Sequence, residues 1–296
     1  MIEPAPVGAA VIRNILVKRC FMSYADEIFI KNCKEILKIG VTDEAMQVRP
    51  KWEDGASAYT KSVFGIVNRY DLSKEFPILT LRRTYWKSAL DELLWIWQKK
   101  SNNVKDLSSH IWDQWADENG SIGKAYGYQL GIKHKYKEGE FDQVDRVLYD
   151  LKNNPNSRRI ITNIYNHADL SEMHLYPCAY SVTFSVKGGR LNAVLNQRSN
   201  DFLAANNWNV VQYAFLVYIM AKVSGLLPGE LVHVIADAHI YDRHIPIVEE
   251  LISRPVFDAP KLTIGDITDF YKVTPDDFKV EDYKFNEFTT KIPIAV

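Results

Sequence analysis

The residues best suited to chemistry lie in one stretch of the chain, residues 176–209. Cys178 follows a proline there, and Arg198, Ser199 and Asp201 come later in the same stretch. Cysteine is the natural nucleophile where a soft attacking group is needed, and a nearby cation lowers the pKa of its thiol. Arg198 supplies such a cation, and together with Ser199 it suits an anionic ligand. These residues predict a cysteine enzyme that acts on an anionic substrate.

Two β-rich runs position these side chains. Residues 180–186 and 191–197 flank a Gly-Gly pair, and paired glycines between two such runs are typical of a tight hairpin turn. In a hairpin, Cys178 would begin the first strand and Arg198 would leave the end of the second. The thiol and the anion-binding residues are therefore expected on neighbouring strands.

A second candidate is Glu92, which lies in a predicted helix of residues 85–98. The apolar side chains of this helix cover nearly its whole circumference, which is typical of a buried helix. A carboxylate that is buried without a partner is costly and has a raised pKa. The sequence leaves two interpretations open: Glu92 pairs with an arginine, or it is a general acid or base.

Three further arginines are candidates for binding an anion. Arg49 heads a polar loop, where an arginine is usually solvated. Arg158 and Arg159 stand at the predicted entrance of a strand, so their side chains are expected on opposite faces of it. They are either surface charges or ligands of a phosphate in a neighbouring subunit.

Asn209, His239 and Tyr241 lie at the ends of predicted elements. Asn209 directly precedes a predicted core helix of residues 210–225, for which an N-cap is the simplest interpretation. His239 and Tyr241 have strand spacing, so they share one face at the end of a predicted strand. A histidine and a tyrosine placed in this way are stronger site candidates than a lone histidine.

Residues 110–130 combine aromatic side chains with glycines in a polar segment. Trp112 and Tyr126 are among these aromatic residues. Aromatic residues beside glycines often form a flat wall on which a ligand stacks, and they fill a core at least as often. The segment therefore predicts either a ligand wall or part of the core.

Composition places the chain among ordinary soluble globular proteins. It has 296 residues, of which 47% are hydrophobic, and its net charge of -1 gives no electrostatic case for nucleic acid or an anionic membrane as the main partner. The three cysteines, Cys20, Cys33 and Cys178, form no disulfide or zinc pattern, so reduced thiols and no metal are expected. We recognise no signal peptide, linker or repeat, so residues 1–296 are expected to form one cytoplasmic domain without a membrane span.

In order and spacing, several motifs resemble the thymidylate synthase family over nearly the whole chain, from Arg49 to Val296. The matching stretches are ELLWIWQ (92–98), IWDQWADENGSIGKAYG (111–127), NSRRIIT (156–162), YPC (176–178), QRSND (197–201), NVVQYA (209–214), DAHIYDRH (237–244) and PIAV (293–296). Any one motif alone is weak. Together they form a strong signal, because the pieces serve different parts of one site.

The resemblance implies an α+β fold, in which a mixed β-sheet covered by helices packs sheet to sheet in a homodimer. It also implies the reductive methylation of dUMP to dTMP, in which 5,10-methylenetetrahydrofolate donates the carbon and the hydride and dihydrofolate is released. In that reaction the Cys178 thiolate adds to C6 of uracil, and Glu92 is the general acid or base. Tyr126 assists loss of the C5 proton, and no metal is required.

The resemblance also assigns ligand contacts. The expected dUMP ligands are Arg49, Arg198, Ser199, Asn209, His239 and Tyr241, with Arg158 and Arg159 of the partner subunit. The expected folate contacts are Ile111, Trp112, Asp201, Ala205 and Ala295. Arg198 and Asp201 also count among the catalytic residues, and Ala295 belongs to a C-terminal tail that closes over the site. The carboxamide of Asn209 matches O4 and N3–H of uracil, so dUMP rather than dCMP is expected.

Two alternatives remain open at this point. The first is a pyrimidine hydroxymethylase of the same fold, in which water takes the place of the hydride. The altered loop of residues 204–208, where Ala205 replaces a glycine common in the family, is compatible with that enzyme. Trp112 and the PIAV tail favour the synthase, because both keep water out. The second is a catalytically silent binding protein, against which the joint presence of a nucleophile, a buried carboxylate and a base-reading amide argues.

Overall fold

The structure, a computed structural model, describes residues 22–296, so Cys20 and the N-terminal segment around it lie outside the described residues. Within this range the α-helices are α1 (Tyr24–Ile39), α2 (Trp86–Trp97), α3 (Gly127–Gly131), α4 (Gln143–Asn153), α5 (Asn206–Val223) and α6 (Ile245–Leu251). The strands are β1 (Val41–Thr42), β2 (Thr60–Asp71), β3 (His134–Tyr136), β4 (Gly139–Phe141), β5 (Ile161–Asn163), β6 (Ala179–Lys187), β7 (Arg190–Asp201), β8 (Leu227–Tyr241), β9 (Lys261–Ile264) and β10 (Phe278–Glu281).

Six of these strands form one mixed sheet in the order β1-β2-β8-β7-β6-β5. β7 and β8 run parallel, whereas the other neighbouring strands are antiparallel. Helix α5 packs against β7 and β8, and α2 packs in turn against α5. Trp97 of α2 also reaches Phe184 of β6, with ring centroids 6.4 Å apart. The chain therefore has the predicted α+β fold, a mixed sheet covered by helices.

The predicted hairpin is formed by β6 and β7. Gly188 and Gly189 connect the strands with φ of 56° and 73°. Two successive left-handed residues suit glycine and give the turn that matches the twist of a hairpin. β7 continues as far as Asp201, so Arg198 and Asp201 belong to the strand itself and not to the segment after it.

The core helix α5 begins earlier than the sequence predicts. The Asp201 carboxylate accepts the backbone N–H groups of Leu203 and Ala204 at 3.0 and 3.1 Å, and this turn leads directly into the helix. Ala205 is the N-cap residue, so Asn209 lies inside the helix and the N-cap interpretation of Asn209 is wrong. Within residues 22–296, no helix, α5 included, has both the length and the apolar character that crossing a membrane requires.

The strand predicted near Arg158 and Arg159 is short and starts after them. β5 contains only Ile161–Asn163, and both arginines lie in an exposed segment before it that is not strand. The prediction that they point to opposite faces of a strand is therefore wrong, because only an extended strand imposes that alternation.

A buried carboxylate of helix α1 forms hydrogen bonds with the segment that precedes α2. Oδ1 of Asp26 accepts the backbone N–H groups of Thr80 and Leu81 at 2.9 and 3.3 Å, and the side chain is fully buried. Burial raises the pKa of Asp26 to about 6, while the hydrogen bonds from Thr80 and Leu81 act in the opposite direction. Since the segment that holds Thr80 leads into α2, Asp26 helps to position the helix that carries Glu92.

Asp26→Ala should lower the free energy of unfolding by about 2–4 kcal/mol, because two buried backbone N–H groups lose their acceptor. Chemical denaturation followed by circular dichroism measures this change. Glu27→Ala is the matched control, since Glu27 is an exposed neighbour on the same helix and should cost less than about 1 kcal/mol. Equal losses in the two variants would contradict the assigned role of Asp26.

Candidate active site

The thiol of Cys178 lies directly before β6 and beside Arg198 of β7. The backbone N–H of Arg198 donates to the Cys178 carbonyl oxygen at 2.9 Å, which joins the two residues across the hairpin. Nη2 of Arg198 lies 3.6 Å from Sγ. The guanidinium is held there because Nε donates to the Pro177 carbonyl oxygen at 3.0 Å and Nη2 to the Tyr176 carbonyl oxygen at 2.8 Å. The thiol and the arginine thus meet on neighbouring strands, as the hairpin predicted.

Two opposing effects set the pKa of the Cys178 thiol. Burial raises this pKa, and the positive charges of Arg198 and Arg49 lower it. Burial is the larger effect, so the pKa of the thiol lies above its usual value. The thiolate is the reactive form, and the two arginines are the groups that favour it. The fold therefore brings Arg49, from a distant polar loop, close enough to act on Sγ.

Tyr126 lies against the backbone of the nucleophile. Its hydroxyl oxygen accepts the N–H of Cys178 at 3.3 Å, and burial raises the pKa of the phenol well above its usual value. The residue has φ of 48°, a left-handed conformation that is strained for a side chain of this size. Its ring meets Trp112 edge to face, with centroids 4.9 Å apart. A neutral phenol is thereby fixed beside Cys178.

Glu92 is buried and has no cationic partner among residues 22–296. Nε1 of Trp208 donates to its Oε2 at 2.8 Å. Burial raises the pKa of Glu92 to about 7, while the hydrogen bond from Trp208 and weaker polar contacts with Gln212 and Trp112 lower it. The interpretation of Glu92 as the partner of an arginine is therefore wrong. A carboxyl group with a pKa near 7 exchanges a proton readily at neutral pH, which suits a general acid or base.

A chain of side-chain hydrogen bonds fixes the carboxamide of Asn209. Its Oδ1 accepts from Nε2 of Gln197 at 3.0 Å, and its Nδ2 donates to Oε1 of Gln212 at 3.2 Å. Oε1 of Gln197 in turn lies 2.7 Å from Nε2 of His233. Burial lowers the pKa of His233 to about 3, so its ring is neutral and Nε2–H is the donor that faces the amide oxygen. Asn209 is held by amides and a neutral imidazole, not by charges.

His239 and Tyr241 share one end of β8, as predicted. Nδ1–H of His239 donates to Oδ1 of Asp237 at 2.6 Å, and the His239 and Tyr241 rings meet edge to face at 5.1 Å. Burial raises the pKa of Tyr241 to about 12, so its hydroxyl is a neutral donor and acceptor. Ser199 is half-buried and lies opposite Asp237 in the β7–β8 register. These residues therefore line the strand ends next to Arg198.

Asp201 ends β7 on the side of the residues expected to contact folate. Burial would raise the pKa of Asp201, but the hydrogen bond and the charge of His244 outweigh it and hold the pKa below its usual value. Trp112 is buried and Ile111 is exposed, so this pair presents one edge to solvent. Ala205 is half-buried at the start of α5. The Asp201 carboxylate is thus ionised and is surrounded by His244 and by two backbone N–H groups.

The C-terminal tail is docked onto the loop that carries Arg49. The backbone N–H of Lys51 donates to the Val296 carbonyl oxygen at 2.8 Å, and the N–H of Val296 donates to the Lys51 carbonyl oxygen at 3.0 Å. Ala295 lies next to this backbone pair and is half-buried. The tail is therefore a fixed part of the structure, held at its end by the loop after Arg49.

Comparisons with known proteins identify the family. Residues 27–296 match the profile of the family described as thymidylate synthase. The thymidylate synthases of Bacillus subtilis subsp. natto and of Bacillus phage phi3T are each 46% identical over 272 residues, which cover 90% of this chain and 97% of each relative. The solved structure of thermostable thymidylate synthase A from Bacillus subtilis gives a TM-score of 0.88 at 44% identity and covers 92% of this chain and 99% of that one. The chain belongs to the thymidylate synthase family.

Membership of the thymidylate synthase family confirms the resemblance found in the motifs and the fold that it implied. Within one chain, however, Arg158 and Arg159 do not reach the cleft residues. Both are exposed, and neither side chain forms a hydrogen bond or an ion pair with any residue that the structure describes. Arg159 contacts Ser157 through its backbone N–H alone, at 3.2 Å. Within residues 22–296 of one chain, the side chains of the two arginines therefore make no polar contact with this site.

Several residues that hold this site together were not among the residues predicted from the sequence. Gln197 belongs to the QRSND motif, and Gln212 follows Asn209 at helical spacing. The sequence positions of both glutamines could therefore have predicted a place near the site. Trp208 was part of the altered loop, but nothing in the sequence pairs it with Glu92. His233 is one polar residue in an apolar strand, a pattern typical of a satisfied core histidine.

Glu92→Gln should change how stability depends on pH. The pKa of Glu92 is about 7 in the folded chain and 4.5 when unperturbed, so the folded state binds more protons between these values. The wild type therefore loses stability as the pH rises through this window, by about 2–3 kcal/mol that Glu92→Gln should not lose. Denaturation curves at pH 4.5 and pH 8 measure the difference. Glu118→Gln is the control, because Glu118 is exposed, and it should follow the wild type. Parallel behaviour of all three proteins would contradict the buried, ionisable Glu92.

Proposed function

We propose that the chain is a thymidylate synthase that converts dUMP to dTMP, takes the carbon and the hydride from 5,10-methylenetetrahydrofolate, and releases dihydrofolate. The observation that carries this proposal is the distance of 3.6 Å between Sγ of Cys178 and Nη2 of Arg198, whose guanidinium is held by two carbonyl oxygens. The chain also matches the family from residue 27 to residue 296. Cys178 is the nucleophile: Sγ forms a bond to C6 of uracil, and the electron pair of the C5–C6 double bond moves towards C4 and O4. Arg198 favours the thiolate that this step needs.

Glu92 and Asn209 act on the opposite edge of the base. Negative charge develops on O4 as Sγ adds to C6, and a hydrogen-bond donor or proton at O4 stabilises it. Glu92 is the general acid or base for this edge, since its pKa of about 7 lets it give and take a proton at neutral pH. Asn209 reads the base with Nδ2 towards O4 and Oδ1 towards N3–H. Its hydrogen bonds with Gln197 and Gln212 support this order of donor and acceptor.

The remaining groups of dUMP are assigned to the strand ends. Arg198, Ser199 and Arg49 bind the phosphate, for which guanidinium groups are suited because they form paired hydrogen bonds. Tyr241 and His239 hold the 3′-hydroxyl, and their contact at 5.1 Å supports a shared role. The charge of Arg198 thus serves both the phosphate and the thiol.

The folate-side residues fit a flat, partly polar ligand. Trp112 is buried with one exposed neighbour, Ile111, and Asp201 offers an ionised carboxylate of the kind that binds an amino-substituted ring. When bound, 5,10-methylenetetrahydrofolate supplies the one-carbon unit and the hydride. Ala205 and Ala295 line the same side. Tyr126, a neutral phenol, assists loss of the C5 proton by orienting the group that accepts it. The docked tail keeps water from this part of the site.

A homodimer completes the site in this proposal. Phe64 is 90% exposed, and Val67 and Ile161 are 56% and 53% exposed, so β2 and the start of β5 present apolar side chains to solvent. An apolar sheet surface of this kind is typical of a protein–protein interface. Packing of two such sheets would let Arg158 and Arg159 of the partner subunit reach the phosphate. Arg198 itself lines a surface pocket together with Tyr165 and Tyr180.

The hydroxymethylase alternative is less well supported by the same cleft. That reaction needs water at the exocyclic carbon, whereas Trp112 is buried beside Tyr126 and the tail is paired to Lys51 through its backbone. Both features keep water out and favour transfer of hydride.

We also infer a single domain over residues 1–296 and a cytoplasmic enzyme without a required metal, since dUMP and folates are substrates of the reduced cell interior.

Purified protein incubated with dUMP and 5,10-methylenetetrahydrofolate should form dihydrofolate, seen by absorbance, while the nucleotide gains the mass of one methyl group. Cys178→Ser should bind dUMP without forming product, because a hydroxyl at that position is too weakly acidic to attack C6. A hydroxymethyl gain with tetrahydrofolate released would establish the alternative enzyme. Bound dUMP without any conversion by the wild type would leave only a binding protein.

Mixing two inactive variants tests the shared site. Arg158→Ala/Arg159→Ala lacks the arginines, and Cys178→Ala lacks the nucleophile. After denaturation and refolding together, each mixed dimer holds one site with both sets of wild-type residues and should have about half of the wild-type activity. Random pairing makes about half of the dimers mixed, so the whole mixture should recover about a quarter. The assay is dTMP formation, and each variant refolded alone is the control. No recovery in a mixture shown to contain mixed dimers would contradict the shared phosphate site.

A further inference from the structure

His244 lies buried where the C-terminal tail meets the end of β7. Its side chain is fully buried. Nε2 lies 2.8 Å from the Pro293 carbonyl oxygen, and Nδ1 lies 3.5 Å from Oδ1 of Asp201. The two ring nitrogens therefore face two oxygen acceptors, one from the tail and one from the carboxylate that the proposed function assigns to folate.

This geometry favours a proton on each ring nitrogen: Nε2 is within hydrogen-bond distance of Pro293, and Nδ1, which makes no hydrogen bond of ordinary geometry among residues 22–296, faces Asp201 at ion-pair distance. A carbonyl oxygen only accepts hydrogen bonds, so Nε2 must carry a proton to bind Pro293. A neutral imidazole would then turn the bare lone pair of Nδ1 towards the negative carboxylate of Asp201, which is repulsive. A second proton converts that contact into an ion pair. Asp201 is already used by two backbone N–H groups and stays in place, so the histidine is the group that adapts.

The surroundings of His244 favour the same charged form. Burial lowers the pKa of His244, but the hydrogen bond and charge of Asp201, the Pro293 carbonyl and the charge of Asp242 raise it, and the net pKa lies above the usual value. The other groups packed on the ring are Trp52 and Tyr241, at 5.6 and 5.5 Å between centroids. Tyr241 is neutral because burial raises its pKa to about 12.

Among residues 22–296, three arginines lie near these groups: Arg82 interacts electrostatically with Asp201, Arg49 interacts electrostatically with Tyr241, and Arg243 is engaged by an aromatic ring and a carboxylate. Arg243 lies over the Trp52 ring at 5.1 Å and forms an ion pair with Asp54 at 2.8 Å. Asp242 accepts a hydrogen bond from Nε1 of Trp52 at 3.1 Å and is one of the groups that raise the pKa of His244. The positive charge of the imidazolium is therefore matched by two carboxylates, Asp201 and Asp242, within the described residues.

We propose that His244 is a positioning residue that holds the C-terminal tail in its docked state as an imidazolium between Asp201 and Pro293. The tail is then fastened at two points, by His244 at Pro293 and by Lys51 at Val296. Only the first of these depends on charge. Docking of the tail takes up a proton on His244, and release of the tail gives that proton back.

The sign of the pH dependence follows from the raised pKa. The stabilisation of the docked tail is fully present below the pKa that His244 has when the tail is released, and it is lost as the pH rises through the higher pKa of the docked state. Docking therefore weakens on the alkaline side. The affinity for the tail changes by up to about tenfold for each unit by which docking raises the pKa of His244.

The first experiment needs no substrate and so does not depend on the proposed function. The pKa of His244, measured by NMR on the full chain with labelled histidine, should lie above 6.5; a value below it would overturn the proposal. Amide hydrogen exchange of the C-terminal peptide, corrected for intrinsic rates, should show protection at pH 6 that falls by pH 9. In His244→Gln, which keeps a donor but no charge, protection should be low and independent of pH. Protection that varies with pH equally in wild type and His244→Gln would also overturn it.

The second experiment rests on the proposed function, because it uses turnover. The KM for 5,10-methylenetetrahydrofolate in the wild type should rise on the alkaline side, whereas that of His244→Gln should be about tenfold higher at pH 6 and flat. The KM for dUMP should change little, since His244 contacts the tail and not the nucleotide. His134→Gln, at an exposed position on β3, is the control and should follow the wild type. Absence of all turnover in the wild type would contradict the proposed function, and the hydrogen-exchange result would still decide the role of His244.

Discussion

The site depends on the pairing of Cys178 with Arg198 across the β6–β7 hairpin. One backbone hydrogen bond of 2.9 Å sets the register, and two carbonyl oxygens aim the guanidinium at Sγ. The thiol is buried, so without a nearby cation it would stay protonated and unreactive. Arg198 and, from another loop, Arg49 oppose that effect of burial. The other parts of the cleft are arranged around the position that this pair gives to the nucleophile.

Burial sets the chemistry of the base-reading side in a different way. Among residues 22–296 no cation pairs with Glu92, and its pKa is about 7 because burial outweighs the hydrogen bond from Trp208 and the weaker polar contacts of the carboxylate. Asn209 is fixed by two glutamines, and the imidazole at the end of that chain is neutral because it is fully buried. Charged side chains are thus concentrated around Cys178 and around the docked tail, where the arginines and Asp201 lie. In the proposed function, Glu92 therefore exchanges a proton beside the base, while the arginines hold the phosphate.

Local patterns in the sequence were sufficient for the elements but not for the contacts between them. The Gly-Gly pair and its flanking β-rich runs predicted the hairpin, and the ordered motifs predicted the family and its mixed sheet. The start of α5 was predicted too late, because the turn closed by Asp201 uses a side chain that also belongs to the site. The hydrogen bond from Trp208 to Glu92 and the contact from His244 to the tail join residues far apart in sequence, and neither has a periodic signal. The shared roles of Arg158 and Arg159 depend on a second chain and remain a proposal.

The reactivity of the Cys178 thiol is the most direct test of the account. The rate of alkylation by iodoacetamide, measured against pH by mass spectrometry in a Cys20→Ser background, reports the pKa of Cys178, because Cys33 is fully buried. The account predicts a higher thiol pKa and slower alkylation at pH 7 in Arg198→Ala than in the wild type. Arg190→Ala, an exposed arginine at the other end of β7, should leave the profile unchanged. An unchanged profile in Arg198→Ala would contradict the claim that this arginine activates the nucleophile.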